Sequence, residues 1–261
     1  YSGLAQGKGV FLPNNNDELN INISQLLEMG NEGIIAEDRL FGTEVSILAF
    51  CNGKEATLMP QTQDYKSIYD GNIGANTGGM GAICPANILT NDELIEVKKY
   101  MDFVVKDLNY IGILYAGLMK TPNGIFFLEF NCRFGDPEAQ VILNLLDSNY
   151  CDLGDIIMSC IQQKSLDIKW KNKSAATVIL SHEDYPTTKL NEPILMTYEH
   201  LDNSVQIYEA NVSTSIINNI TQKYTTGGRV LSMVSVDDNL IIALQNIYNN
   251  IYKIQYKGAY Y

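Results

Sequence analysis

The order of apolar and polar residues along the chain predicts a mixture of strands and helices. Short runs rich in β-branched and aromatic residues, bounded by Gly, Asn and Pro, are typical of strands. Apolar residues three and four apart predict a helix at Asn91–Leu108. A second helix is expected to start at Asp136-Pro137-Glu138, with Asp136 as N-cap and Pro137 as first helical residue. The pattern further predicts strands at Gly33–Glu37, Val45–Cys51, Ala56–Met59, Ile113–Lys120, Ile125–Cys132, Ala175–Leu180 and Val205–Glu209, and a helix at Asp238–Ile251.

A short polar, Lys-rich stretch at Ser165–Ser174 predicts a domain boundary. We therefore expect a larger domain at residues 1–160, a linker at 161–174 and a smaller domain at 175–261. The larger domain is expected to be of the α+β class and the smaller one a mixed α/β unit.

Composition and charge limit the classes of function. The 261 residues are 46% hydrophobic and carry a formal net charge of −12, which argues against binding to a nucleic-acid backbone. No apolar run is long enough to span a membrane, so no membrane partner is expected. The five cysteines are odd in number and form no C-x-x-C pair. Such usage is typical of reduced thiols, and it predicts a cytoplasmic protein.

The run from Phe126 to Glu138 contains the strongest chemical signal. In a strand Glu129, Asn131 and Arg133 share one face, about 7 Å apart, while the alternate residues can enter a core. Carboxylate and amide oxygens suit a hard cation such as Mg²⁺, and the guanidinium of Arg133 suits phosphate or carboxylate. The alternative is an exposed edge strand with a surface ion pair.

Two segments near the start resemble nucleotide-binding elements only weakly. Gly3–Val10 could cradle a phosphate through backbone N–H groups and the charge of Lys8, although an ordinary glycine-rich turn is equally compatible. Ile35–Ser46 could contact an adenine ring through its backbone and ribose hydroxyls through Glu44. A plain solvated hairpin explains this second segment as well.

The segment Tyr69–Ala82 is interpreted as a long loop with five glycines, preceded by Gln63–Lys66. Long loops in compact domains are uncommon and are usually functional. The loop is therefore a candidate for gripping a substrate and closing over a site. The alternative is a disordered linker.

In order along the chain, these segments resemble the glycinamide ribonucleotide synthetases, which belong to the ATP-grasp superfamily. The resemblance rests on the motifs above and on Leu114–Met119, and it extends to Thr226-Gly227-Gly228-Arg229-Val230-Leu231. It implies an ATP-grasp fold followed by a smaller C-terminal mixed domain. The family's N-terminal domain is absent from this sequence, so we expect a fragment of a longer protein.

The resemblance implies ATP-dependent ligation of glycine to 5-phosphoribosylamine through a glycyl phosphate, with ATP and Mg²⁺ (or Mn²⁺) as cofactors. It also allows for a longer, multifunctional purine-pathway chain. Binding of ATP is expected from residues 1–261, and ligation only when the N-terminal segment is present. The implied site residues are Arg133 and Asp70 as catalytic groups; Gly7, Lys8, Gly9, Glu37, Leu40 and Glu44 at ATP; Asp64, Lys66, Asn76, Thr77, Gly78, Gly79 and Met80 at substrate; and Glu129 and Asn131 as metal ligands.

Three other functions remain open at this point. The chain could be another ATP-grasp carboxylate–amine ligase, a free-standing ATP-binding module or an inactive remnant. A carboxylase-type enzyme should lack the Asn76–Ala82 run, and a remnant should have lost Glu129, Asn131 or Arg133.

Overall fold

The computed structural model describes residues 10–28, 34–186 and 192–261. Within these ranges the chain forms five α-helices and fourteen β-strands, joined by two short 3-10 turns. The helices are α1 (Asn16–Glu28), α2 (Asn91–Asp107), α3 (Glu138–Ile142), α4 (Leu153–Ile161) and α5 (Leu240–Tyr248). The strands are β1 (Thr43–Asn52), β2 (Ala56–Leu58), β3 (Gln63–Tyr69), β4 (Ile73–Cys84), β5 (Ile111–Thr121), β6 (Gly124–Asn131), β7 (Ser174–His182), β8 (Ile194–Tyr198), β9 (Gln206–Glu209), β10 (Val212–Ile217), β11 (Ile220–Thr225), β12 (Arg229–Asp237), β13 (Ile254–Gln255) and β14 (Ala259–Tyr260).

The first sheet has the strand order β2-β1-β5-β6 and is covered on both faces. One set of alternate β1 residues, including Ile47, packs against the apolar stripe of α2 around Met101. The other set, including Phe50, packs against α3, α4 and the second sheet. Helix α2 begins where the sequence predicts, because Thr90 and Glu93 form a capping box that satisfies two backbone N–H groups.

The second sheet crosses the predicted domain boundary. Its order is β3-β4-β7-β12-β9, with β14 pairing the end of β7. Helix α5 packs on β7 and β12, and its core includes Met233 and Ile247. A third, four-stranded sheet has the order β10-β11-β8-β13. The proposed division at residues 161–174 thus falls between two units that share the β4–β7 pairing, and it stays a prediction.

Three predicted elements differ from the structure. Residues 34–37 have no regular structure, so the strand predicted at 33–37 is not formed in the described part of that segment. The predicted Tyr69–Ala82 loop is mostly strand, because β3 and β4 form a hairpin that turns at residues 70–72. The helix predicted from Asp136 starts at Glu138 and lacks a side-chain cap, because Asp136 is hydrogen-bonded to Arg229 and Gln140 instead.

A β-bulge in β6 changes which residues reach the core. Phe127 pairs Leu118 and Glu129 pairs Gly117, so Leu128 is left without a partner on β5. Phe127 therefore packs with the α2 core, while Glu129 turns to the opposite face. The expectation that Leu128, Phe130 and Cys132 enter a core is wrong, since the first two are 41% and 40% exposed and Cys132 is also exposed.

Gln61 provides a test of how the start of α2 is fixed. Its buried Oε1 accepts hydrogen bonds of 2.8 Å from the backbone N–H groups of Ile88 and Leu89. Replacing Gln61 by Ala leaves both donors without an acceptor, which should lower the free energy of unfolding by about 1–3 kcal/mol. The exposed Gln162→Ala is the control and should change it by no more than about 0.5 kcal/mol. Equal urea midpoints for the two variants would contradict the role of Gln61.

Candidate functional site

Glu129 and Asn131 lie side by side on the face of the first sheet that points away from α2. They pair with Gly117 and Tyr115 on β5, and directly opposite residues of a sheet share a face. Asn131 Nδ2 donates a hydrogen bond of 2.9 Å to Glu129 Oε1. A Cβ atom on Gly117 would lie 3.3 Å from Glu129 Cγ, so the glycine leaves room for the carboxylate. The structure thus brings together the two residues expected to hold a cation.

Arg133 lies just beyond the end of β6 and is exposed. Its Nη1 donates a hydrogen bond of 2.8 Å to the carbonyl of Phe134. Arg133 follows Asn131 by two residues, and its guanidinium is open to solvent. It can therefore contact an anionic ligand.

A buried hydrogen-bond chain extends from the same sheet face. Tyr115 Oη donates to Glu138 Oε1 at 2.7 Å, and Ser46 Oγ lies 2.7 Å from the same hydroxyl. Glu138 is only 3% exposed, and a Cβ atom on Gly135 would lie 2.3 Å from its Oε2. Burial and the Glu138 charge raise the pKa of Tyr115, so the phenol stays protonated and keeps donating. Glu138 is thus held in one position.

Lys66 and Asp64 of β3 form a charged group with Glu44 of β1. Lys66 Nζ lies 2.7 Å from Glu44 Oε2 and 3.9 Å from Asp64 Oδ2. Burial raises the pKa of Asp64 to about 6; Lys66 opposes this shift, and the Glu138 and Glu44 charges add to it. Burial alone would lower the pKa of Lys66, but Asp64 and Glu44 outweigh it and the pKa is raised. The carboxylates of Asp64, Glu44 and Glu138 outnumber the single ammonium of Lys66. The group therefore favours the binding of a proton or of a cationic ligand.

Tyr65 lies apart from this group. It is 41% exposed and occupies the strand position between Asp64 and Lys66, whose side chains share the other face.

The glycine run of β4 lies opposite Lys66. Between the Tyr65–Gly81 and Ser67–Asn76 pairs, Lys66 alone on β3 faces residues 77–80 on β4. Gly78 N–H donates to Tyr185 Oη at 2.8 Å, and Gly79 N–H donates to Thr77 Oγ1 at 2.9 Å. The backbone N–H groups of these two predicted substrate contacts are thus already hydrogen-bonded within the protein. Asn76 is exposed and Met80 half-buried.

The remaining predicted site residues are more scattered. Glu37 is exposed and Leu40 half-buried, both in the irregular segment before β1, and Glu44 is engaged by Lys66. Asp70 lies exposed in the β3–β4 turn, where its charge adds to the effect of burial in raising the pKa of Tyr248 and Tyr260. Its charge therefore acts on two tyrosines of the C-terminal part of the chain, and its catalytic role stays a prediction. Gly7, Lys8 and Gly9 lie outside the described residues.

Sequence reasoning missed Tyr115 and Glu138 as members of the site. Glu138 was interpreted only as the start of a helix, although it lies inside the Glu129–Glu138 motif and follows Gly135 by three residues. A carboxylate in the segment that follows a strand rich in ligand-type residues was the available signal. Tyr115 lies in the segment Leu114–Met119, which carries part of the resemblance, but nothing in that segment assigned the tyrosine a chemical role.

In the described ranges, no three or more His, Cys, Asp or Glu residues form a group that could hold a metal ion. Among the same residues, no helix is long and apolar enough to cross a membrane.

Family models match most of the chain. The ATP-grasp (A) domain of phosphoribosylglycinamide synthetase matches residues 1–139, and the C domain of the same enzyme matches residues 175–261. The chain belongs to the phosphoribosylglycinamide synthetase family. The family assignment made from the motifs is therefore confirmed.

Relatives and solved structures agree with membership of this synthetase family. The chain is 35% identical over 270 residues to phosphoribosylamine–glycine ligase of Synechocystis sp., covering 99% of this chain and 63% of that protein. It is 37% identical over 275 residues to the human trifunctional purine biosynthetic protein adenosine-3, covering 100% of this chain and 26% of that protein. The crystal structure of phosphoribosylamine–glycine ligase from Thermotoga maritima matches with a TM-score of 0.83 and 27% identity, covering 99% of this chain and 66% of that one.

A biotin carboxylase domain from Hydrogenobacter thermophilus matches with a TM-score of 0.70 at 12% identity, over 98% of this chain and 56% of that one. At this identity the likeness concerns the fold alone. The expected fold, an ATP-grasp unit followed by further mixed structure, is confirmed.

The raised pKa of Asp64 predicts a pH-dependent effect of Asp64→Asn. The folded chain holds this proton more tightly than the unfolded chain, whose ordinary value is 3.8. The contribution of Asp64 protonation to the stability of the fold is therefore fully present below pH 3.8. It is lost as the pH rises through about 6. Asn removes this loss, so the free energy of unfolding of the variant relative to wild type should increase with pH, by at most about 3 kcal/mol in total.

Urea unfolding at a series of pH values measures this difference. Gln162→Ala, which removes no ionisable group, is the control and should give a difference from wild type that does not change with pH. If the difference in free energy of unfolding between Asp64→Asn and wild type did not change with pH, the raised pKa assigned to Asp64 would be wrong.

Proposed function

We propose that this chain carries out ATP-dependent ligation of glycine to 5-phosphoribosylamine, giving glycinamide ribonucleotide, ADP and phosphate. Relatives named phosphoribosylamine–glycine ligase and the two family models support this reaction. The observation that carries it is the pair Glu129–Asn131, hydrogen-bonded at 2.9 Å on the sheet face that also holds Tyr115. The chain spans about a quarter of the animal relatives and under two thirds of the cyanobacterial ones, so the activity of the whole protein is part of the proposal.

The donor chemistry of Glu129 and Asn131 fits a divalent cation. Hard ions take oxygen ligands, and Mg²⁺ in phosphoryl-transfer sites is commonly held by one or two protein groups together with substrate phosphates. Two protein oxygens therefore suffice when ATP supplies the others. A bound Mg²⁺ or Mn²⁺ would neutralise charge on the phosphates during phosphoryl transfer.

The other residues act by position and charge. The carboxylate of glycine is already ionised and needs no base to attack the γ-phosphate, and Arg133 is available to contact the phosphate or the carboxylate. In the second step an amine attacks the acyl phosphate and must lose a proton. Asp64, with a pKa of about 6, is a suitable acceptor for that proton. Glu138 and Glu44 favour the ammonium form of either substrate on approach.

Lys66 and the glycine run complete the proposed substrate surface. Lys66 is the only basic side chain in the charged group formed with Glu44, Asp64 and Glu138. It can hold an anionic group of a substrate while the carboxylates hold the amine. We propose Asn76 and Met80 as further contacts, because neither is fully buried. Binding of ATP by Glu37 and Leu40 is proposed on the resemblance alone.

Two further parts of the proposal concern context. Relatives named as trifunctional and bifunctional purine biosynthetic proteins support a longer, multifunctional parent chain. A cytoplasmic location is proposed from the cysteine usage of the sequence.

Substitution of Glu129 tests the proposed metal and nucleotide site. Glu129→Gln keeps the volume of the side chain but removes a charge next to a dication, so Mg·ATP binding should weaken by at least about tenfold. Glu96→Gln, at an exposed carboxylate on α2, is the control and should bind as wild type does. Calorimetric titration measures both. Unchanged Mg·ATP affinity in Glu129→Gln would overturn the role assigned to this residue.

The reaction itself is tested with the complete gene product that contains residues 1–261. Phosphate release should require ATP, glycine and 5-phosphoribosylamine together, and the product should carry both the glycyl and the ribosyl groups by mass spectrometry. Turnover with a different carboxylate or amine, and none with this pair, would assign the chain to another ATP-grasp ligase. No turnover with any pair would favour an inactive remnant.

A further inference from the structure

Arg229 occupies the first position of β12. It contacts two segments that are distant from it in sequence, the glycine run of β4 and the residues just before α3. Its Nη1 donates hydrogen bonds of 2.8 Å to the carbonyl of Gly78 and 2.7 Å to the carbonyl of Asp136, with the carbonyl of Gly79 at 3.4 Å. Its Nη2 donates to Asp136 Oδ2 at 3.1 Å. One guanidinium thus joins β4, the segment between β6 and α3, and the C-terminal part of the chain.

Other residues also pack closely against the glycine run. Tyr185 Oη accepts a hydrogen bond from Gly78 N–H, and a Cβ atom on Gly78 would lie 3.1 Å from the Arg229 guanidinium and 3.2 Å from Tyr185 Oη. Gly79 has a φ of +110°, and a Cβ atom there would lie 2.5 Å from Pro137 Cδ. Both glycines are therefore needed for close approach, and the run has little freedom while Arg229 is in place.

The two segments that Arg229 joins each adjoin a charged group of the proposed site. Residues 77–80 lie opposite Lys66 on β3. Asp136 and Pro137 directly precede Glu138, whose carboxylate is held by Tyr115. A shift of either segment would change the distance between the Lys66 group and the Glu138 carboxylate, although Arg229 itself contacts neither.

We propose that Arg229 is a positioning residue for ligation, which holds the run Thr77–Met80 against Asp136–Pro137 so that Lys66 and the Glu138 carboxylate keep their spacing. The expected effect of Arg229 on turnover rests on the proposed ligase function, whereas its expected effect on the glycine run does not. Arginine is required because its planar fork donates several hydrogen bonds in fixed directions, whereas lysine offers a single nitrogen. A surface ion pair alone would contribute little, so Asp136 by itself does not explain the arrangement.

The physical part of the proposal is tested by hydrogen exchange, without any assay of activity. In Arg229→Gln, the amides of residues 76–81 should exchange faster, while those of β1 and β5 should exchange as in wild type. Lys98→Gln, which breaks a half-buried ion pair of 2.8 Å with Asp102 on α2, is the control and should leave residues 76–81 unchanged. Unchanged exchange at residues 76–81 in Arg229→Gln, or equal acceleration throughout the protein, would overturn the proposal.

The functional part is tested by kinetics on the complete gene product containing these residues. Arg229→Ala and Arg229→Lys should lower kcat/KM for the amine and for glycine by about 10- to 100-fold, the cost of small misplacements of reacting groups. The affinity for Mg·ATP should change by less than a factor of about two, because Glu129 and Asn131 are on a separate strand. Millimolar guanidinium should partly restore Arg229→Ala, whereas equal concentrations of NaCl or urea should not.

These outcomes separate the two proposals. Loss of Mg·ATP affinity in proportion to the loss of turnover, with no rescue by guanidinium, would mean that Arg229 only stabilises the fold. An inactive wild-type protein would overturn the ligase assignment instead. In that case hydrogen exchange alone decides whether Arg229 positions the glycine run.

Discussion

The close approach of β4 to its neighbours is the constraint on which the arrangement of this protein depends. A Cβ atom on Gly81 would lie 2.7 Å from the carbonyl oxygen of Thr177, so only glycine allows β4 to pair with β7 at this point. Gly78 and Gly79 meet Arg229 and Pro137 in the same way. Three glycines thus dock one strand against three different parts of the chain. Side chains there would separate the second sheet from the segment that leads into α3.

Because β4 is docked in this way, the two sheets enclose a common interior. Leu48 and Phe50 from the first sheet share a core with Ala82 and Ala175 from the second. The carboxylates of Asp64 and Glu138 are buried near that core, where electrostatic effects are stronger than in water. Burial is the main reason that Asp64 has a raised pKa, with Glu138 and Glu44 adding to the shift. The same fold that builds the core therefore sets the charge state of the group proposed to take a proton.

Features with a local cause could be predicted from the sequence, and those with a distant cause could not. Helix α2 could be predicted because its apolar periodicity lies within the helix itself. Strand β4 was interpreted as a loop because glycines have no side chains to show alternation, and the partners that make it a strand are β3 and β7. The start of α3 was misplaced because Asp136 bonds to Arg229, 93 residues away. The site followed the same rule: Glu129 and Asn131 share a strand, whereas the contact of Tyr115 with Glu138 depends on packing.

The bulge at Leu128 shows how a local irregularity decides which chemistry the first sheet offers. Without it, strict alternation would place Glu129 and Asn131 on the side of Phe127, which packs against the apolar core of α2. An ionised carboxylate there would lose its hydration without gaining a partner, which proteins avoid because of the large energetic cost. The extra residue instead turns both side chains toward Tyr115 and the Glu138 group, while Phe127 keeps its place in the core. A strand that packs on one side in its first half thereby presents the proposed ligands Glu129 and Asn131 on the other side in its second half. The position of the bulge, rather than the ligand residues alone, makes this sheet face suited to binding a cation and phosphate.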